Sequence, residues 1–134
     1  MRPRIDRWAA MDCALFVWTT PPTIHEYACP LIEAWGFQYK TFGFTWVKLS
    51  GGGEPFMGMG YYTRGNAEIC LLATRRKPKV KAHDVNQVIL SPRREHSRKP
   101  DEQYSRIERL FDGPYLEIFA RERRPGWDAW GNEV

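Results

Sequence analysis

The side chains best suited to chemistry gather in the last third of the chain. Arg94-Glu-His-Ser-Arg-Lys-Pro-Asp-Glu102 is a charged run that opens a helix. Leu116-Glu-Ile-Phe-Ala-Arg121 follows as a strand, and Pro125-Gly-Trp-Asp-Ala-Trp-Gly-Asn-Glu-Val134 closes the sequence with a polar turn. In open α/β sheets ligands bind outside the carboxyl ends of the strands, so this order of segments predicts a cofactor site. A second chemistry is electrostatic. Between Arg75 and Lys99 nine Lys or Arg residues, Arg75, Arg76 and Lys77 among them, stand against Asp84 and Glu95. Such a local excess suits a polyanion, and it equally suits a solvated loop that keeps the protein soluble. Trp46 and Lys48 end an aromatic strand, where a ring can stack on an extruded base and a lysine can hold phosphate. A core tryptophan and a solvated lysine are the alternatives.

Other chemistries find no support in the pattern. Cys13, Cys29 and Cys70 are widely spaced and form no Cys-x-x-Cys pair, and His25, His83 and His96 lack metal-ligand spacing. Reduced thiols of an intracellular protein and no metal are expected. No apolar stretch is long enough for a signal peptide or a membrane span, which makes a cytoplasmic location the expectation. The 134 residues fit one domain, which can bury roughly two-thirds of its unfolded surface. With 14% aromatic residues and a net charge of +4, the chain reads as globular.

The elements that must position these residues alternate along the chain. Ala14-Leu-Phe-Val-Trp-Thr19, ended by Pro21 and Pro22, predicts a buried strand, central in its sheet. Ile24, Tyr27, Ala28, Leu31, Ile32 and Trp35 recur at helical spacing, with Thr23 as N-cap and Gly36 as stop. Pro30 interrupts this pattern and predicts a kink or a later start. Phe37 to Leu49 predicts a strand broken by Ser50-Gly-Gly-Gly53. Glu68 to Thr74 predicts another, returned antiparallel to it by a glycine-rich loop. Gln87 to Leu90 offers a short strand. Pro100-Asp-Glu102 starts a helix whose apolar stripe is Tyr104, Ile107, Leu110 and Phe111, and Tyr115 to Ala120 is the next strand. Strands alternating with helices predict a mostly parallel sheet covered on both faces.

Taken together, the C-terminal segments with Phe16-Val-Trp-Thr19 and Thr45-Trp-Val-Lys48 resemble the family named for the seventy-kilodalton subunit of messenger-RNA adenosine methyltransferase. The resemblance runs from about Trp8 to Val134. It implies an α/β, Rossmann-like methyltransferase sheet, mostly parallel with an antiparallel strand pair and N-terminally incomplete. It also implies S-adenosylmethionine as cofactor and the exocyclic amine of adenine as methyl acceptor, in DNA more than RNA. The family's Asp-Pro-Pro-Trp motif, which holds that amine, is absent from residues 1 to 15. Thr20-Pro21-Pro22-Thr23 has neither the Asp nor the Trp and reads as a turn.

The resemblance carries roles over residue by residue. Lys99 matches a lysine near cofactor and base, and Glu117, Phe119 and Arg121 match residues lining the ribose and adenine. Asn132 matches an Asn near the family's C-terminus, and Glu133 stands where some members have Gln. Arg64 and Glu68 correspond to a stretch near the target-base entrance. Without the resemblance, Lys99 reads as solvated and Phe119 as core. Trp127 and Trp130 are expected to seal the terminal turn. Cofactor binding without turnover is the expectation for this polypeptide alone. A noncatalytic nucleic-acid-binding subunit, working with a methyltransferase partner or as a homo-oligomer, is the alternative, and a truncated gene product is the third.

Overall fold

The structure, a computed structural model, describes residues 4–54, 62–63, 65–95 and 98–131. A four-residue helix α1 (Ile5–Trp8), which the sequence pattern did not announce, leads into β1 (Cys13–Thr19). Pro21–Thr23 form a 3-10 turn and Ile24–Ala28 a π-helical turn before the α-helix α2 (Cys29–Ala34). Pro30 therefore marks a later α-helical start, in the first turn where its missing N–H is not needed. Thr23 does not cap the helix: its hydroxyl donates back to the Thr20 carbonyl at 2.9 Å. Gly36 does stop it, at φ +84°, with the Phe37 amide donating to Ile32 O.

After α2 come β2 (Gln38–Leu49), β3 (Ala67–Arg75), β4 (Val88–Pro92), α3 (Glu102–Leu110), β5 (Tyr115–Ile118) and β6 (Trp127–Trp130). The main sheet has the order β1-β3-β2-β4, and β5 and β6 pair in parallel as a second sheet. β1 and β2 are both antiparallel to β3, whereas β4 runs parallel to β2. Three of the four strands share one direction, but two of the three ladders are antiparallel, so the sheet is mixed and not mostly parallel as expected. The expected single antiparallel pair becomes two ladders, because β3 inserts between β1 and β2 instead of adding at an edge. β1 is correspondingly an edge strand of this sheet and not a central one, and all seven of its residues are only half-buried.

β3 shows why its sequence is a nearly unbroken apolar run. Ile69, Leu71 and Ala73 enter one core with Ile5, Ala28, Ile32 and Phe37, under α1 and α2. Cys70 enters the other with Phe44, Trp46, Ile89 and Ile107, under α3. A strand covered on both faces needs apolar residues at both parities. β1 divides in the same way, Leu15 and Val17 packing on the first core, Phe16 and Trp18 on the second. β5 repeats the division, with Ile118 on the first and Tyr115 on the second. Burial raises the pKa of the Cys70 thiol, which behaves as a small core hydrophobe. Among the described residues no His, Cys, Asp and Glu group could hold a metal, and no helix is long and apolar enough to cross a membrane.

Candidate functional site

β2 and β3 pair in register with Trp46 opposite Glu68, which puts Lys48 one step along the same face from that carboxylate. Lys48 Nζ lies 2.9 Å from Glu68 Oε1, and Lys99 Nζ lies 2.6 Å from Oε2. Lys99 arrives from the segment before α3, where the fully buried Pro100 fixes its approach. One buried carboxylate is therefore shared by two ammonium groups. Burial by itself raises the Glu68 pKa, but the hydrogen bonds from Lys99 and Lys48 outweigh it and hold the carboxyl below its ordinary value.

Two indoles frame this cluster. Lys48 Nζ is 5.3 Å from the Trp46 ring centroid and Lys99 Nζ 5.9 Å from that of Trp18. The rings meet edge to face at 6.3 Å. Trp46 is 1% exposed and its N–H donates to Ser91 O at 2.9 Å, so of its two readings the core one holds. Trp18 donates to Gln103 Oε1 of α3 at 2.7 Å and turns toward a cavity of about 430 Å³. Trp18, Thr19, Thr20, Glu68 and Lys99 line it, together with Tyr27 of the π-helical turn and Leu31 of α2. The cavity lies at the carboxyl end of β1, where an α/β sheet places its ligands.

A second group gathers where β5 and β6 end together. Tyr104 of α3 donates its hydroxyl to Glu117 Oε2 at 2.6 Å. Phe119 follows with φ +61° and 68% exposure, its ring against Trp130 at 5.4 Å. A left-handed backbone at an exposed aromatic is uncommon and directs attention to the position. Arg121 donates to Glu95 O at 3.3 Å. Arg98 pairs with both Glu95 and Glu122, and Asp101 accepts from Arg94 at 2.8 Å and Arg124 at 3.1 Å. These ion pairs tie the segment carrying Lys99 to the connection carrying Arg121.

The structure thus brings Lys48, Glu68 and Lys99 together, and Glu117, Phe119 and Arg121 into a neighbouring group. Arg75, Arg76 and Lys77 lie elsewhere. Arg75 ends β3, seven residues from Glu68 and so roughly 23 Å along the strand, and Arg76 and Lys77 follow it. Arg76 turns the chain there at φ +58° and the Lys77 amide donates to Asp12 Oδ1. Arg64, Asn132 and Glu133 fall outside the described residues. The sequence reading overlooked Gln103 and the tie from Tyr104. Gln103 was recoverable, since it precedes Ile107 by one helical turn and a polar residue on a buried stripe announces a partner.

The MT-A70 family model matches residues 3–133. The chain belongs to the MT-A70 family. It is 37% identical over 128 residues to the Type II methyltransferase M.MunI of a Mycoplasma species, covering 93% of this chain and 52% of that protein. It is 34% identical over 110 residues to an N6-methyladenosine RNA methyltransferase of Cryphonectria parasitica, covering 78% of this chain and 31% of that one. The human N(6)-adenine-specific methyltransferase METTL4 is 30% identical over 147 residues, 97% of this chain and 30% of its own length. The chain spans about half the length of the first of these MT-A70 relatives and about a third of the other two.

Proposed function

We propose that this MT-A70 chain forms the cofactor-facing and base-facing part of an S-adenosylmethionine-dependent adenine methyltransferase acting on nucleic acid, DNA in preference to RNA. The observation that carries it is the Lys48–Glu68–Lys99 cluster, of which Glu68 and Lys99 line the cavity. A carboxylate held ionised in a cleft can accept from an amine. The groups at the ends of β5 and β6 fit the cofactor by chemistry. Glu117 is an acceptor for a ribose diol, the exposed Phe119 ring is a wall for adenine, and Arg121 with Lys99 suits a carboxylate. S-adenosylmethionine supplies the electrophilic methyl group. The chain's own residues bind, orient and exclude water around it.

The sequence contains no Asp-Pro-Pro-Trp, so the polypeptide alone is expected to bind cofactor without methyl transfer. A second reading is a noncatalytic nucleic-acid-binding subunit that works beside an active methyltransferase, holding nucleic acid through the basic residues between Arg75 and Lys99. Calorimetric titration with S-adenosylmethionine and a methyl-transfer assay on adenine-containing DNA test both. Binding is expected, weakened in Lys99→Ala and Arg121→Ala by the roughly 1.5 to 3 kcal/mol of a charge-assisted hydrogen bond. Transfer above a catalytically dead control would refute the inactive assignment, and unchanged affinity in both variants would move the cofactor elsewhere.

The basic turn is a separate part of the proposal. Arg75, Arg76 and Lys77 would hold the nucleic-acid backbone at a distance from the cavity. Each lost phosphate contact flattens the logarithmic salt dependence of binding by about 0.9 for duplex DNA. Neutralising all three should lower that slope, and an unchanged slope would return the turn to a solvated role.

A further inference from the structure

Glu117 has an arrangement that strand geometry alone does not require. It sits one residue before the end of β5, on the face turned to α3. Its Oε2 takes the Tyr104 hydroxyl at 2.6 Å, and among the described residues Oε1 has no hydrogen-bond partner. The Tyr104 ring is itself clamped. Trp127 of β6 meets it edge to face at 5.2 Å, and the Arg124 guanidinium carbon stands 3.8 Å from its centroid. Arg124 is in turn held by Asp101, which Arg94 also holds. A carboxylate fixed through one oxygen, with the other open beside the carboxyl ends of two parallel strands, is preorganised to accept from two neighbouring hydroxyls.

We propose that Tyr104 and Arg124 are positioning residues that hold Glu117 to accept a ribose diol. This rests on the cofactor reading above and names the atoms through which it works. Tyr104 fixes the rotamer of Glu117 by hydrogen bonding. Arg124 fixes Tyr104 by stacking on its ring, so Glu117 responds to a residue that does not touch it. The ligand class is a nucleoside with free ribose hydroxyls, and deoxyribose is disfavoured. The group therefore reads the cofactor, while a DNA nucleotide would have to be met elsewhere.

The test pairs protein variants with a change in the ligand. Affinities of the unaltered protein, Tyr104→Phe, Arg124→Ala and Glu117→Gln are measured for S-adenosylhomocysteine and for its counterpart lacking the ribose hydroxyls. Tyr104→Phe keeps the ring and its packing, and thermal melts verify that each variant is folded. All three variants are expected to weaken S-adenosylhomocysteine binding, Tyr104→Phe about tenfold, and to leave the weaker binding of the hydroxyl-free ligand unchanged. Equal losses for both ligands would make Tyr104 a structural anchor and overturn the inference. So would loss in Glu117→Gln with none in Tyr104→Phe. Failure of the unaltered protein to bind S-adenosylhomocysteine would overturn the cofactor reading, and this inference with it.

Discussion

Glu68 stays ionised inside the protein because two lysines reach it from different elements. Its folded pKa lies below its unfolded value, so its stabilising contribution is complete above the ordinary carboxylate range. It is lost as pH falls through the lower, folded value. Chemical denaturation between about pH 5 and pH 2 should therefore show stability decreasing, with Glu68→Gln flattening that part of the profile. At neutral pH the same variant leaves two ammonium groups without their carboxylate and should cost about 1 to 3 kcal/mol, reduced from a fully buried pair because both lysines are partly exposed. A pH profile identical to that of the unaltered protein would remove Glu68 from the centre of the cluster. Lys48, Glu68 and Lys99 were each visible in the sequence as separate candidates. Their meeting was not, because it depends on the β2–β3 register and on where the segment before α3 returns, and neither is a local property of the residues concerned.

Elements were legible where local chemistry decides them. Gly36, Pro100-Asp-Glu102 and the apolar run after Glu68 mark boundaries that the structure keeps within a residue or two. The misses arose where tertiary packing overrides pattern. β1 has the composition of a central strand, yet β3 takes that place because the glycine-rich connection lets the chain return between β1 and β2. Trp127 to Trp130 were read as part of a turn and form β6, stabilised by Trp127 stacking on Tyr115 at 4.8 Å and donating to Glu108 at 2.8 Å. The end of that strand depends on Gly131. A Cβ there would meet Phe119 Cα and Ala120 N at 3.0 Å, both of them backbone, beside the Ala120 N–H bond to Trp130 O. Gly131→Ala should therefore push β6 away from β5. A loss of about 1 to 3 kcal/mol in denaturant unfolding is expected, together with weaker cofactor binding as Phe119 shifts. Full stability and full affinity in this variant would show that the close approach carries neither.

For the whole molecule, two cores run beneath two sheets that are not joined by a ladder. β1 and β5 both send side chains into each core, yet β1 pairs with β3 and β5 with β6. Among the described residues the outer edge of β1 therefore has no strand beside it, over seven residues. The exposed rings of Trp8 and Phe119 add apolar surface to the molecule. An unpaired edge of this length is a template for another chain, and a second copy is the partner always present at matching concentration. We expect the purified chain to self-associate, with sedimentation velocity showing a larger species as concentration rises. Alternate β1 amides point away from β3, so pairing through this edge should slow their hydrogen exchange in the associated form while the amides bonded to β3 stay protected throughout. Association that leaves those outward amides fast would place the contact on another surface. A chain that remains monomeric, with the same amides protected at every concentration, would mean that the edge is already covered within the monomer.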